Sequence, residues 1–451
     1  MNYREAIRYL YNIQKYGIKL GLSTITGLMA MLGNPHQSFR SIHVAGTNGK
    51  GSTSAIMAAL LMSAGFRVGL FTSPHLISFT ERIRVNNREI TEEEVISLTD
   101  NLKSQISNLK SDRFNPTFFE FVTAMAFLYF QSQKTDAGVI EVGMGGRLDS
   151  TNIITPEVSV ITNISYDHTE FLGGTLAEIA NEKAGIIKDC IPVVCSSQPA
   201  ECLEALLASA EKKNAPVYLH GKDFSSSLNN EDSSGIYFDY HSEDSEMHGL
   251  HLPLSGAHQA ENAAVAIKAA ELFFKRCPPR SSLVPDFIPA ALESVRWPGR
   301  MEMISKNPPV LIDGAHNPAA AEALSTAIRS SLSSTYKQII LVLGIMGDKD
   351  IRGIMKPLLP LASDIILTAP GYERSASPVT LQKIAKELGY PETQIAYTMQ
   401  EALESAVTIS KFAAKAAASA LIVVTGSFYT IGEAKEVFGQ SGVLTRLRES
   451  R

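Results

Sequence analysis

The sequence predicts an α/β protein of two doubly wound domains, and three observations carry that reading. From Ile42 onward short apolar runs alternate with helical patterns, as in a mainly parallel sheet with helices on its faces. The alternation stops at Arg296-Trp-Pro-Gly-Arg300, where Pro-Gly ends regular structure, and then begins again. A glycine-rich turn, Ala45-Gly-Thr-Asn-Gly-Lys-Gly-Ser-Thr53, joins the first apolar run to a helical one. At 451 residues the chain also exceeds one ordinary core.

Taken in order, Tyr3 to Tyr16 places apolar residues at helical spacing and predicts an amphipathic helix. Strands are expected at Ile42–Ala45, Val68–Thr72, Ala137–Val142, Val158–Ile164 and Pro192–Ser196. A helix begins after the glycine turn, from Thr53 to Met62. Another is entered at Thr91-Glu-Glu-Glu94, where Thr91 and Glu94 suit a capping box, and a third runs from Thr117 through Phe130. Residues 222–250, rich in Ser, Asn, Asp and Glu, read as a peripheral β-hairpin region with solvated loops. A long helix follows from His258 to Lys275. Beyond the Pro-Gly break, strands are expected at Val310–Ile312, Ile339–Leu343, Asp364–Thr368, Ile395–Tyr397 and Leu421–Thr425. Helices fall at 318–332, 351–358, 379–389 and 400–418, the first with Asn317 as N-cap and Pro318 behind it. The expected division is 1–296 for a nucleotide-binding domain and 297–451 for a smaller, Rossmann-like domain.

Composition bounds the partners. Hydrophobic residues at 45% and charged residues at 19% describe a soluble globular chain with ample core. A net charge of −5 gives no general reason to bind nucleic acid. The apolar run Ala416–Thr425 is too short to span a bilayer, and the N-terminus lacks the apolar stretch of a signal peptide, so a cytoplasmic protein with no membrane partner is expected. Four cysteines without a CxxC pair read as reduced thiols rather than as a disulfide framework or metal site.

The Ala45–Thr53 turn has the strand-loop-helix context of a phosphate site. Glycines admit backbone N–H groups to phosphate, a helix N-terminus adds a positive dipole end, Lys50 supplies a point charge, and Ser52 or Thr53 a hydroxyl. Val44 stands where the usual first glycine would be, and Gly51 where Ser or Thr follows the lysine. A chance glycine turn is the competing reading; the flanking strand and helix favour phosphate. In open α/β sheets ligands sit at the carboxyl ends of strands. That rule selects Glu141, which ends an apolar strand, then Asp167 and His168 after the next, and Ser73 after the strand reaching Thr72. Together with the phosphate loop they favour a metal-nucleotide site. Mg²⁺ binds through one or two carboxylates plus phosphates, so Glu141 is the best ligand; His168 suits Mn²⁺ or a softer ion better. Lys183, beside Glu178 and Glu182 on a helical run, reads by itself as a surface ion-pairing lysine.

Gly46-Thr-Asn-Gly-Lys-Gly-Ser-Thr53, Glu141-Val-Gly-Met-Gly-Gly-Arg-Leu-Asp-Ser-Thr-Asn152 and Asp167-His-Thr-Glu170…Glu182-Lys-Ala-Gly185 resemble the motifs of folylpolyglutamate and dihydrofolate synthases, members of the ATP-dependent Mur ligase superfamily. The resemblance continues through His258-Gln-x-x-Asn262, Trp297-Pro-Gly-Arg300 and Asp313-Gly-Ala-His-Asn-Pro318, and so covers essentially the whole chain. It implies a Mur ligase-like P-loop ATPase domain followed by a Mur ligase-type C-terminal domain. Thr47, Asn48, Gly49, Lys50, Gly51, Ser52 and Thr53 would hold ATP, with Asn262, Arg300 and Asp313 completing the nucleotide site. Ser73 and Glu141 would bind one Mg²⁺ and Glu141 with His168 a second, and Lys183 matches the lysine that the family carbamylates. His316 would lie near the phosphates or the incoming amino acid. Phe118, Phe119 and Glu120, with Leu148, Asp149 and Ser150, resemble the segments that receive the pterin-bearing substrate; helix core is the competing reading of the two phenylalanines.

The reaction implied adds L-glutamate to folate, dihydropteroate or both. ATP first converts a carboxylate to an acyl phosphate, which the amine then attacks. A monomer is the default. A cell-wall Mur ligase would need an extra N-terminal domain that the 45 residues before the loop cannot form, and a non-ligating P-loop ATPase would leave the motifs from Glu141 onward unexplained.

Overall fold

The computed structural model describes residues 1–13, 21–108, 115–279, 287–415 and 419–439. Among them a first sheet contains β1 (Arg40–Ala45), β2 (Val68–Phe71), β3 (Ile83–Val85), β4 (Arg88–Glu89), β5 (Ala137–Glu141), β6 (Val158–Ile161), β7 (Val193–Cys195) and β8 (Val217–Leu219), in the order β4-β3-β2-β5-β1-β6-β7-β8. All pairs from β2 to β8 are parallel; only the β3 and β4 edge runs antiparallel. A parallel strand covered on both faces is apolar throughout rather than alternating, and β1, β2, β5, β6 and β7 are almost wholly buried for that reason.

Both β5 and β6 pair with β1, from opposite sides. The chain therefore leaves β1 at the point where strand order reverses, which opens a crevice at its carboxyl end. The helices Tyr3–Ile13 and Ser23–Met31 bury Ile7, Leu10, Ile25 and Leu28 against the helix Phe118–Ser132, so the residues before the loop belong to the first domain's core.

Residues 222–250 depart from the hairpin expected. They form a three-stranded antiparallel sheet, β9 (Phe224–Asp232), β10 (Gly235–Ser242) and β11 (Glu246–Leu252). Its inner face is not peripheral. Phe224, Ile236, Phe238, Tyr240, Leu250 and Leu252 pack into the same core as the helices Lys50–Ser63 and His258–Arg276. Asp239 takes the other face of β10's period-two pattern, whereas Glu243 and Asp244 lie in the loop before β11.

A second parallel sheet follows: β12 (Glu302–Lys306), β13 (Pro309–Ile312), β14 (Gln338–Leu343), β15 (Asp364–Leu367), β16 (Gln394–Ile395) and β17 (Ala420–Thr425), ordered β12-β13-β17-β14-β15-β16 with β12 antiparallel. Every expected strand is present, the one near 395 shortened to two residues. The helix at Pro318 is α-helical to Ala327 and continues as a π turn through Leu332. The Thr91–Glu94 capping box forms reciprocally, at 2.9 and 3.2 Å. The expected ends of the first helix beyond Ile13, and of the last long helix beyond Lys415, lie outside the described residues. The four cysteines are free thiols, and among the described residues no helix is long and apolar enough to cross a membrane.

Candidate active site

The helix after β1 starts at Lys50, earlier than the pattern suggested, because Gly49 turns the chain at φ +86°. Glycine adopts that left-handed conformation without strain, and a Cβ there would stand 2.5 Å from Asn262 Oδ1. At Gly51 a Cβ would stand 3.0 Å from the Trp297 indole. The absent side chain makes room for the segment that links the two sheets, which accounts for glycine where Ser or Thr is usual. The loop is laced to the segment after β6. Thr47 Oγ1 donates to the Ser165 carbonyl at 3.0 Å and accepts from the Ser165 N–H at 3.1 Å, while Asn48 Nδ2 donates to Ser165 Oγ at 3.0 Å.

Two lysines meet on this loop. Lys50 Nζ donates to the Gly46 and Thr47 carbonyls at 3.1 and 3.0 Å, and Lys183 Nζ to the same Gly46 carbonyl at 2.9 Å. Lys183 is thus not the surface lysine its sequence neighbours suggested; it is 3% exposed. Glu178 is spent on capping its own helix with Thr175, and Glu182 pairs outward with Arg147, leaving Lys183 on the inward face. Burial, then repulsion from Lys50, pushes its amine down to about 7. Burial also lowers Lys50, against the pull of Glu141 and Asp167.

Glu141 ends β5 beside β1, 4% exposed, and accepts the Ser73 N–H at 3.2 Å. Burial raises its carboxyl to about 7 despite Lys50. His168 sits at φ +51° as the chain turns into its next helix; its side chain is 39% exposed, and partial desolvation with the Lys349 and Lys50 charges lowers its imidazole to about 4 against the pull of Asp167. Among the described residues no group of three His, Cys, Asp or Glu side chains forms a cage for a metal. One carboxylate, one hydroxyl and one neutral imidazole beside a phosphate loop fit a divalent ion that takes its other oxygens from substrate and water, the usual manner of Mg²⁺. A buried carboxyl that ionises poorly by itself fits the same arrangement.

The opposite wall comes from the second sheet. Asp313, at the end of β13, accepts N–H bonds from Met301 at 2.9 Å and Ala315 at 2.8 Å. Arg300 lies over the Phe428 ring, 4.6 Å from its centroid. His316 places Nδ1 2.8 Å from the Gly314 carbonyl, which makes Nδ1 the donor, and Nε2 3.6 Å from Asp167 Oδ2. Asn317 caps the helix Pro318–Ala327 and donates to Asn48 Oδ1 at 2.9 Å. One cavity of about 380 Å³ is bounded by Lys50, Glu141, His168 and Lys183 on one side and by Arg300, Asp313 and His316 on the other. Asn48, Gly49, Gly51, Ser52, Ser73 and Asn262 also reach it.

Seven residues singled out in the sequence lie behind that cavity. Thr53 is fully buried, its hydroxyl 3.5 Å from Asn262 Oδ1. Phe118 stacks on Tyr11 at 5.6 Å with the Arg82 guanidinium over it, and Phe119 lies against Phe71 and Gly143. Glu120 closes a capping box with Thr117. Asp149 accepts N–H bonds from Met144 and Thr151 and the Thr151 hydroxyl, and so holds the glycine turn after Glu141 in shape. Ser150 is buried and Leu148 partly exposed. Conversely, two residues given no place in the site reach the cleft: Asn317, expected only as a helix cap, and Lys349, whose Nζ lies 2.6 Å from Asp167 Oδ1. Lys349 follows the carboxyl end of β14, so the strand-end rule applied to the second sheet would have found it.

A phosphate loop on one sheet, completed by charged groups from another, defines a nucleotide-driven enzyme that assembles its site between two α/β units. Residues 44–270 match the Mur ligase middle domain and residues 299–428 the Mur ligase, glutamate ligase domain. The chain is 36% identical over 440 residues to the dihydrofolate synthase/folylpolyglutamate synthase of Bacillus subtilis (strain 168), covering 96% of this chain and 98% of that one. It superposes on Mycobacterium tuberculosis folylpolyglutamate synthase complexed with ADP with a TM-score of 0.91 at 32% identity, over 98% of this chain and 100% of the other. An FPGS–AMPPCP–folate complex is similar at a TM-score of 0.83 and 32% identity, over 98% and 100%. The chain belongs to the folylpolyglutamate synthase/dihydrofolate synthase family of Mur ligases. It is an ATP-dependent ligase.

Proposed function

We propose that this ligase joins L-glutamate to a folate through an acyl phosphate, as a monomer, with 1–296 and 297–451 as its two domains. The observation that carries the reading is the shared cavity, in which one chain supplies both the phosphate loop and the charged groups facing it. The folate complex of a similar structure supports the acceptor, and the double name of the Bacillus relative makes dihydropteroate the second acceptor to test.

In this reading Thr47 to Ser52 receive the ATP phosphates on backbone N–H groups and the helix dipole, with Asn262, Arg300 and Asp313 around the rest of the nucleotide. The acceptor carboxylate attacks the γ-phosphorus and ADP leaves. Lys50, released from the Gly46 and Thr47 carbonyls, offsets the charge of the transferring group. Ser73, Glu141 and His168 would hold Mg²⁺, which supplies further positive charge at the phosphates. The glutamate amine then attacks the acyl carbon, and phosphate leaves the tetrahedral intermediate. His316, with Nδ1 committed to Gly314, offers Nε2 to the incoming amine. Phe119 and Leu148, the part-exposed members of segments that otherwise lie behind the cavity, are assigned to the acceptor ring. Lys183 is assigned a carbamate: its buried amine, lowered to about 7, has the neutral form that adds carbon dioxide, and the product removes a repelling cation beside Lys50.

The test is phosphate release with ATP, Mg²⁺ and L-glutamate, comparing tetrahydrofolate with dihydropteroate. Release dependent on either acceptor supports the assignment, and none with both overturns it. Intact-mass measurement in bicarbonate checks for the carbamate, which should be absent from Lys183→Ala.

A further inference from the structure

The cleft holds an ionic cluster of which the proposed chemistry uses only His316. Asp167, after β6, has an 8% exposed carboxylate, and its three cross-cleft partners all come from the second sheet's loops. Lys349 Nζ is 2.6 Å from Oδ1; His316 Nε2 and Asn317 Nδ2 are 3.6 and 3.4 Å from Oδ2. Beside it, the Asn48 and Asn317 side-chain amides pair across the cleft at 2.9 and 3.4 Å.

Both ends of the cluster are stiffly mounted. Lys349 is held by its N–H on the Met346 carbonyl at 3.2 Å, Gly347 by the Arg374 carbonyl at 2.7 Å, and the next residue, Asp350, caps the helix Ile351–Leu358. On the other side Asp167 Oδ1 accepts the His168 N–H at 2.9 Å, and Asn48 belongs to the phosphate loop itself. The Lys349 side chain is 11% exposed, so the pair is largely dry, unlike Arg147–Glu182 on the surface. Removing one partner of a dry pair leaves the other charge uncompensated, which opposes closure far more than losing an exposed pair would.

We infer that Lys349 is a positioning residue: its ion pair with Asp167 locks the second sheet's loops onto the segment after β6, which is laced to the phosphate loop and carries His168, and so registers His316 against His168. The inference rests on the ligase reading above. A locked cleft keeps water from the acyl phosphate until the amine attacks; an unlocked one lets water take the phosphoryl-activated carbonyl, regenerating the acceptor carboxylate and phosphate with ATP consumed.

The experiment measures phosphate released per glutamylated product, with ATP, Mg²⁺, L-glutamate and tetrahydrofolate. The wild-type ratio is expected near one. Lys349→Met should raise it at least about threefold with KM for ATP little changed, and Lys349→Arg should keep it low. Asp167→Asn should raise it too, and the double variant should be no worse than the worse single one, as for a shared interaction. These two variants test the lock even if Lys349→Met folds poorly. A ratio unchanged in the Lys349 and Asp167 variants overturns the lock alone. So does a large rise in KM for glutamate in Lys349→Met at an unchanged ratio, which would make Lys349 a substrate ligand. No glutamylated product from wild type overturns the ligase reading and the lock with it.

Discussion

The carboxyl ends of the two sheets solve the same problem differently. On the first sheet a main-chain cradle comes first, with the side chains of Lys50, Glu141, His168 and Lys183 set around it. A glycine turn, a helix N-terminus and the Thr47–Ser165 lacing hold a phosphate cradle that is complete within one domain. On the second sheet the working groups are side chains pinned to their own backbone, Asp313 by Met301 and Ala315 and His316 at Gly314, and they face the loop only across the cleft. A cradle made of main chain is specified locally, whereas a wall of long side chains depends on how two domains meet. Damage to the first should abolish phosphoryl transfer, and damage to the second should spoil its use.

The largest effect is expected at the cradle. Lys50→Ala should lower kcat/KM for acceptor-dependent phosphate release by about a thousandfold or more, with thermal unfolding near that of wild type. Arg300→Ala, on the opposite wall, should cost about a hundredfold in the same assay. If the two losses were equal, the distinction between the sheets would fail. Gly49→Ala places a Cβ against Asn262 at φ +86° and should destabilise the fold by about 1–2 kcal/mol as well as weaken ATP binding, read by calorimetry of unfolding and of nucleotide binding. Glu120→Ala removes a capping partner and should cost about 1 kcal/mol of stability with KM for the acceptor unchanged; a raised KM would return Glu120 to the substrate site.

The effect that is smallest at neutral pH concerns acid. His43 on β1 is fully buried, its imidazole pushed down to about 3 by burial and then by Lys188. The unfolded chain takes up that proton near 6.5 while the folded chain refuses it, so the stability involved is complete above 6.5 and is lost as pH falls toward 3. His43→Gln should flatten the dependence of unfolding free energy on pH in that window by up to about 1.4 kcal/mol per pH unit. An unchanged slope would show that other groups carry the acid sensitivity.

Much of the fold was legible because apolar runs in parallel strands and helical spacing are local signals. The same holds for the loop and for Glu141, which sits at a strand end that the pattern already marked. Other features were hidden. Lys183 looked solvated because its acidic neighbours are near in sequence, yet a helix turns successive residues to different faces, and those acids point elsewhere. Asp149 and Glu120 looked like substrate groups, but each carboxylate is occupied with backbone N–H bonds of its own turn or helix end. The 222–250 segment was judged by its acids, whereas its alternate residues feed the main core.

By itself the sequence determined that a phosphate loop stands at the head of an α/β domain and that a second such domain follows, since both rest on contacts between residues near in the chain. Only the tertiary structure decided which charges face one another. Lys183 reaches the Gly46 carbonyl, which Lys50 also bonds, across 137 residues, and Lys349 meets Asp167 across 182. Electrostatic interaction depends on distance and burial, and neither is a property of sequence spacing.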